Sequence, residues 1–425
     1  MTTPVPEEQD VVDLSRLTWH SFPCPASELS LDVNLACGQS FRWHASTVAM
    51  APHPSSTPVS KHSGSAHDDD DDASGSRGDC DSGASAVCAW TGMVGGFLVS
   101  LCRRCEERIQ WSVHRPHDAD VAEVQTVILD YLALSVNLTA LYKQWSEADE
   151  NFRKVASSFP GIRILRQDPV ETLFSFICSS NNHISRISGM VQKLCALYGT
   201  YLATVDGRDF YRFPTVDALC AKGVEAKLRD AGFGYRAQYI AASARVLAEE
   251  RKPEFLSTLR NEAYTDAHSE LIRLPGVGPK VADCVCLMAL DKHDVVPVDT
   301  HVYQVALRDY IPSLAARSKT LTPSLMVTIG DFFRKLYGPY AGWAHSVLFS
   351  AELRKFGGGK KQASPRRKAA AVSHDQPRAQ TASLATSSSS STERKSAGDG
   401  RGVRRKAAAA PPSSRQPRAK RSCRQ

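Results

Sequence analysis

A mainly helical α+β chain with an N-terminal antiparallel sheet is predicted from three observations. Short runs before residue 117 alternate apolar and polar residues, the period of a half-buried strand. From about residue 118 to 355 the apolar spacing becomes three and four, the period of a helix packed along one face. Within that half, Leu274-Pro-Gly-Val-Gly-Pro-Lys280 turns the chain tightly between two helices. Glycine accepts the strained angles of such a turn, and Pro279 suits a first helical turn.

In chain order, residues 1–16 are polar and expected to be disordered, and 17–117 form the sheet domain. Its strands are expected at Leu29–Leu35, leading into Gly38-Gln-Ser-Phe-Arg-Trp43, and at Ala86–Gly92, Phe97–Leu101 and Ile109–Val113. An insertion at about 52–85 contains Asp68 to Asp72 and almost no core-forming residues, so a disordered loop is expected. Residues 118–356 form the helical core. Asp168-Pro169 caps a helix over Val170–Ser180, followed by helices at Ile184–Tyr198, Arg236–Glu250, Asp266–Leu274, Lys280–Leu290, Thr300–Arg308, Pro323–Tyr337 and Tyr340–Leu353. Residues 357–425 are rich in Ala, Ser, Lys, Arg and Pro, the composition of a disordered tail.

The net charge of +7 describes that tail. From Gly357 onward there are 17 Lys+Arg against 3 Asp+Glu, leaving the rest of the chain net acidic. Overall basicity is therefore no argument for a basic binding face. Twelve scattered cysteines without a dense framework fit a reduced intracellular protein, and no apolar run reaches membrane-spanning length.

The chemistry centres on two helix starts. At the hairpin, glycines allow a DNA phosphate to approach the backbone, and the new helix offers free N–H groups to it. Lys280 sits in that first turn, where the helix dipole disfavours an ammonium and favours a nucleophilic amine. About twenty residues later Asp299 opens the helix Thr300-His-Val-Tyr-Gln. By itself Asp299 reads as an N-cap. Combined with the lysine, it can stabilise a positively charged sugar in a glycosidic transition state.

The segment Leu274–His301 resembles the hairpin, Gly/Pro loop and aspartate of the helix-hairpin-helix base-excision DNA glycosylases. Gly38–Trp43, Cys178-Ser-Ser-Asn-Asn182, Gly234-Tyr-Arg236, Val281-Ala-Asp-Cys284 and Gly338–Glu352 extend the resemblance to the eukaryotic 8-oxoguanine DNA glycosylase family. It covers about Ser21 to Arg354 apart from the acidic insertion, and it implies a two-lobed helical core.

The resemblance implies base-excision repair by a bifunctional glycosylase and abasic-site lyase acting on oxidised purine opposite cytosine. Lys280 would form a Schiff base at C1′, with Asp299 supporting the transition state. Gly38 would accept from the N7–H of the oxidised base, Cys284 and Phe349 would sandwich it, and Met288 and His345 would complete its pocket. Asn181, Arg186 and Arg236 would hold the orphaned cytosine while Tyr235 fills the stack, since a base must be extruded for chemistry. Gly276, Gly278, His301 and Glu352 would lie along the DNA backbone. The family carries a glutamine where this chain has His345. A neutral imidazole has a single N–H, so altered, pH-sensitive base discrimination is expected.

No cofactor is expected. Only Cys423 follows Asp299, which disfavours the iron–sulfur branch, and Cys102-Arg-Arg-Cys105 lacks a partnering pair for zinc. The expected partner is double-stranded DNA bearing oxidised guanine, with the protein monomeric and away from membranes. Arg404-Arg-Lys406 and Arg418-Ala-Lys-Arg421 suggest nuclear import, non-specific phosphate affinity, or both. No clear transit peptide marks a mitochondrial share. A monofunctional alkylbase glycosylase would need no Lys280, and a non-catalytic DNA-binding module would need no Asp299.

Overall fold

The computed structural model describes residues 11–50, 85–251, 254–316 and 320–357. The expected disorder of the acidic insertion and of the basic tail concerns residues outside these. In chain order the strands and helices are β1 (Val11–Val12), β2 (His20–Pro23), α1 (Leu31–Asn34), β3 (His44–Met50), β4 (Ser85–Val94), β5 (Phe97–Cys105), β6 (Arg108–Arg115), α2 (Val121–Tyr131), α3 (Leu138–Ala148), α4 (Glu150–Ala156), α5 (Pro169–Ser179) and α6 (Ile184–Tyr198). There follow β7 (Tyr201–Val205), β8 (Arg208–Tyr211), α7 (Val216–Cys220), α8 (Val224–Asp230), α9 (Arg236–Glu250), α10 (Phe255–Thr258), α11 (Tyr264–Ile272), α12 (Pro279–Ala289), α13 (Thr300–Val305), α14 (Pro323–Tyr337) and α15 (Ala341–Gly357).

Five antiparallel strands run in the order β2-β6-β5-β4-β3. Both faces of this sheet are covered. Val99, Leu101, Ile109 and Trp111 pack with Val124, Ile128 and Tyr131 of α2. On the opposite face, Leu98 and Cys102 meet Ala203, Val205 and Phe210 of the β7–β8 hairpin. Successive side chains of β5 thus enter two different cores, as the two-residue period of a strand requires.

Several expectations are corrected. Residues 11–16 are ordered: β1 pairs parallel with β7, and Asp13 caps the short 3₁₀ turn Leu14–Arg16 whose Leu14 is buried. Leu29–Leu35 is no strand. Leu31 and Leu35 lie four apart, a spacing that serves a helical turn as well as alternation. The Asn34 amide fixes this turn by donating to the Ser30 and Gly161 carbonyls at 2.7 Å each. Gly38–Trp43 is an anchored loop, and its strand begins only at His44. A hairpin also interrupts the helical half at Tyr201–Tyr211. Its turn residues Asp206 and Gly207 have φ of 50° and 68°, the geometry for which Asp-Gly is preferred.

The helical core surrounds α5, α9, α12 and α15, with Phe174, Ile177, Val285, Trp343 and Val347 fully buried. A buried polar residue, Gln39, ties the Gly38 loop to it. Gln39 donates to the Arg163 carbonyl at 3.0 Å and accepts from the Leu165 N–H at 3.0 Å. The buried Arg163 guanidinium donates to the Glu28 carboxylate and to the carbonyls of Leu132, Ala133 and Val136. Satisfying every donor offsets the cost of burying its charge.

Candidate active site

The hairpin linking α11 to α12 is built by its glycines. Gly276 has a φ of +81°, and a Cβ there would lie 2.5 Å from Tyr239. Ser243 donates to the Pro275 carbonyl at 2.6 Å and fixes the turn from α9. Gly278 differs: its backbone is extended, and a Cβ would meet nothing within 4 Å. Gly278 is also the N-cap of α12 and provides no side-chain cap. Gly278 and Pro279 are exposed, so the uncapped start of α12 lies at the surface, where a helix N-terminus can receive an anion.

Lys280 is the second residue of α12. Its amine lies 5.1 Å from the centre of the Phe176 ring on α5, and Cys284 follows one turn on along the same helix. Burial works to lower its pKa, but the Cys284 sulfur and the Asp299 carboxylate outweigh it, and the pKa stands above its ordinary value. This reverses the expectation of a disfavoured ammonium: the nearby acceptors hold the proton more strongly than the helix end repels it. Cys284 is 2% exposed, and burial pushes its thiol up to about 11.

Asp299 caps α13, with one oxygen, Oδ1, accepting from His301 and Val302 at 2.9 and 3.0 Å. The charge of the same carboxylate also acts on Lys280 and His345. A single carboxylate therefore opens a helix and raises the pKa of the amine.

His345 on α15 is 7% exposed, and neither ring nitrogen has a hydrogen-bond partner. Its ring centre is 6.0 Å from Phe349 and 6.3 Å from Phe333. Burial pushes its pKa down to about 4 despite the attraction of Asp299. The imidazole is thus neutral through pH 6–8 in this state, which removes the reason for pH-sensitive discrimination. Phe349 stacks edge-on against His301 at 6.3 Å. Met288, two turns from Lys280 on the same side of α12, is half-buried, and its carbonyl accepts from Gln167 at 2.8 Å. Gly38 has a φ of +90°, and a Cβ there would press on Ile184 at 2.8 Å.

The expected orphan-base residues gather on a second edge. Asn181 is exposed, with a φ of 48°, and Arg186 is exposed on the first turn of α6. Tyr235 is 46% exposed, and its hydroxyl donates to the Ser180 carbonyl at 3.0 Å. Arg236 is buried, donating through Nη2 to the carbonyls of Ser180 and Asn181. It shapes the loop that carries Asn181, and its Nε has no partner.

Glu352 does not reach the surface. It is 3% exposed and binds Arg308, in the turn that follows α13, through both oxygens at 3.0 Å, so its carboxylate is engaged inside the protein and not presented at the surface. Sequence reasoning missed Phe176, Arg308 and the Asp283 cluster described below. Phe176 meets Lys280 only because α5 packs on α12, and no local pattern announces that contact. A separate cavity of about 510 Å³ opens at the start of α5. Its residues Arg42, Arg166 and Arg260 are already bonded to carboxylates and carbonyls of the protein.

Two family models match consecutive segments. One is the 8-oxoguanine DNA glycosylase N-terminal domain at residues 79–173; the other is the HhH-GPD superfamily base excision DNA repair protein at residues 174–323. The chain is 42% identical over 269 residues to the N-glycosylase/DNA lyase OGG1 of Arabidopsis thaliana, covering 62% of this chain and 72% of that one. It is 41% identical over 253 residues to the N-glycosylase/DNA lyase of Saccharomyces cerevisiae, covering 54% and 67%. Among solved structures it resembles the Clostridium acetobutylicum 8-oxoguanine glycosylase/lyase in complex with double-stranded DNA containing cytosine opposite 8-oxoguanine. That match has a TM-score of 0.58 and 26% identity, covering 78% of this chain and 93% of that one. Sheet, hairpin and helical core occur in the same order as the two family models, and the chain belongs to the 8-oxoguanine DNA glycosylase family of helix-hairpin-helix base-excision repair enzymes, the N-glycosylase/DNA lyases.

Proposed function

We propose that this DNA glycosylase/lyase removes oxidised guanine paired with cytosine and then nicks the abasic strand through Lys280. The observation that carries the reading is the setting of Lys280, in the first turn of a helix without a side-chain cap, where Cys284 and Asp299 both act on its amine.

Lys280 must first lose the proton that its neighbours favour. The Nζ lone pair then attacks C1′ as the C1′–N9 bond breaks and the base departs with that electron pair and a proton. Asp299 stabilises the positive charge developing on the sugar. Transfer of the remaining nitrogen proton to O4′, as the C1′–O4′ bond breaks and the nitrogen lone pair forms C1′=N, opens the sugar and gives the Schiff base. Removal of a 2′ proton expels the 3′ phosphate. The open start of α12 receives a DNA phosphate, and Tyr235 fills the space that the extruded base leaves. Gly38 and His345 read the base between Cys284 and Phe349. The protein acts as a monomer, and its place in the nucleus is supported by the tail motifs at Arg404–Lys406 and Arg418–Arg421.

The test compares duplexes carrying 8-oxoguanine opposite cytosine, 8-oxoguanine opposite adenine, an alkylated purine, and guanine. Preferential excision and strand cleavage on the first is expected. Excision of the alkylated purine without strand cleavage would replace this reading with that of a monofunctional enzyme.

A further inference from the structure

A second titratable cluster lies behind Lys280. Asp283, one turn along α12, is 8% exposed. The Tyr264 hydroxyl of α11 donates to its Oδ1 at 2.9 Å, and His268 Nε2 of α11 lies 3.4 Å from the same oxygen. The His268 ring also interacts with the Pro279 carbonyl, next to Lys280 in the chain. Arg334 of α14 attracts the Asp283 carboxylate, as does Lys280, while the Cys284 and Cys286 thiols of α12 complete its titratable surroundings. Two residues of α11 thus clamp a carboxyl in the first turns of the helix that carries the amine.

We propose that Asp283, held by Tyr264 and His268, is a positioning residue that acts through Lys280: its charge sets how firmly Lys280 keeps the proton it must lose before attack. The inference rests on Lys280 being the nucleophile. Burial pushes Asp283 up to about 7, outweighing the Tyr264 hydrogen bond and the attraction of Arg334 and Lys280. The carboxyl therefore changes charge within the working range. Ionised, it tightens the hold of Lys280 on its proton; protonated, it relaxes that hold.

The test is the single-turnover excision rate on 8-oxoguanine opposite cytosine from pH 5.5 to 9 for the native chain, Asp283→Asn and Tyr264→Phe, with thermal denaturation of each. In the native protein the rise of rate with pH bends near the Asp283 ionisation. Asp283→Asn loses the bend and runs roughly three- to tenfold faster than native above pH 8. Tyr264→Phe moves the bend to higher pH, because the carboxylate loses a donor. A bend that persists in Asp283→Asn overturns the proposal. So do three parallel profiles offset only in step with thermal stability. A native chain that forms no borohydride-trapped adduct on this duplex overturns the nucleophile reading, and the inference with it. An adduct accompanied by an unmoved bend overturns the inference alone.

Discussion

Cys284 follows Lys280 by one turn of α12, and the Cys284 sulfur and the Asp299 carboxylate together hold the Lys280 pKa above its ordinary value against the effect of burial. Both neighbours favour the ammonium, so the resting site stores a protonated lysine. The chemistry requires the opposite form, and removing either neighbour should make that form easier to reach.

Cys284→Ala is accordingly expected to lower the pKa of Lys280 and raise Schiff-base formation on abasic DNA at pH 7 roughly three- to tenfold. Abasic DNA is the appropriate substrate because it needs no stacking of the base on Cys284. Borohydride trapping rates against pH provide the check. A rate that falls equally at every pH would mean that the thiol supports only packing.

His345→Gln addresses base reading. The native imidazole presents one donor and one acceptor, whereas an amide presents two donors and a carbonyl. The ratio of 8-oxoguanine to guanine excision should rise roughly tenfold in the variant, the worth of one well-placed hydrogen bond. In the native protein that ratio should stay constant between pH 6 and 8, because His345 titrates near 4. An unchanged ratio in the variant would remove His345 from base recognition.

Buried histidines also predict acid sensitivity. His114 and His345 both have folded pKa values of about 4, below the ordinary 6.5. Between pH 6.5 and 4 the unfolded chain binds protons that the folded chain refuses, so stability is lost as pH falls through that window. Each contributes at most about 3 kcal/mol. Asp283, raised to about 7, acts in the opposite direction, stabilising at low pH and losing that contribution as pH rises toward 7. The comparison therefore uses variants. The urea midpoint of His114→Gln should change less between pH 7 and 5 than that of the native chain, and equal changes would contradict the assignment.

The two hairpin glycines should separate folding from DNA binding. Gly276→Ala puts a side chain at positive φ against Tyr239 and should cost about 1–3 kcal/mol of stability. Gly278→Val enters open space at an ordinary φ and should leave thermal stability unchanged. It should still weaken duplex binding roughly tenfold by keeping a phosphate from the start of α12. Loss of stability in Gly278→Val, with binding retained, would refute this division.

Much of this was readable from local chemistry. Asp168-Pro169 and Asp299 are caps whose residues declare a helix start, and Leu274–Lys280 is a turn whose glycines declare themselves. Asp206-Gly207 carried an equally plain hairpin signal inside a helical stretch, and the surrounding helical periodicity hid it. Leu29–Leu35 misled because seven residues are too few to separate a period of two from a spacing of four. What was not legible depends on residues brought from far along the chain. Arg163 is satisfied by carbonyls between residues 132 and 136 and by Glu28; Phe176 sits by Lys280, and Tyr264 holds Asp283. The neutrality of His345 likewise follows from burial that no motif expresses.

The central claim is that Lys280 is the nucleophile. Incubation with sodium borohydride and a duplex containing 8-oxoguanine opposite cytosine tests it most directly, with the native chain and Lys280→Gln side by side. The account predicts a covalent protein–DNA adduct from the native chain and none from Lys280→Gln, although the variant still binds the duplex. An adduct of equal yield from Lys280→Gln would place the reacting amine elsewhere and contradict the account.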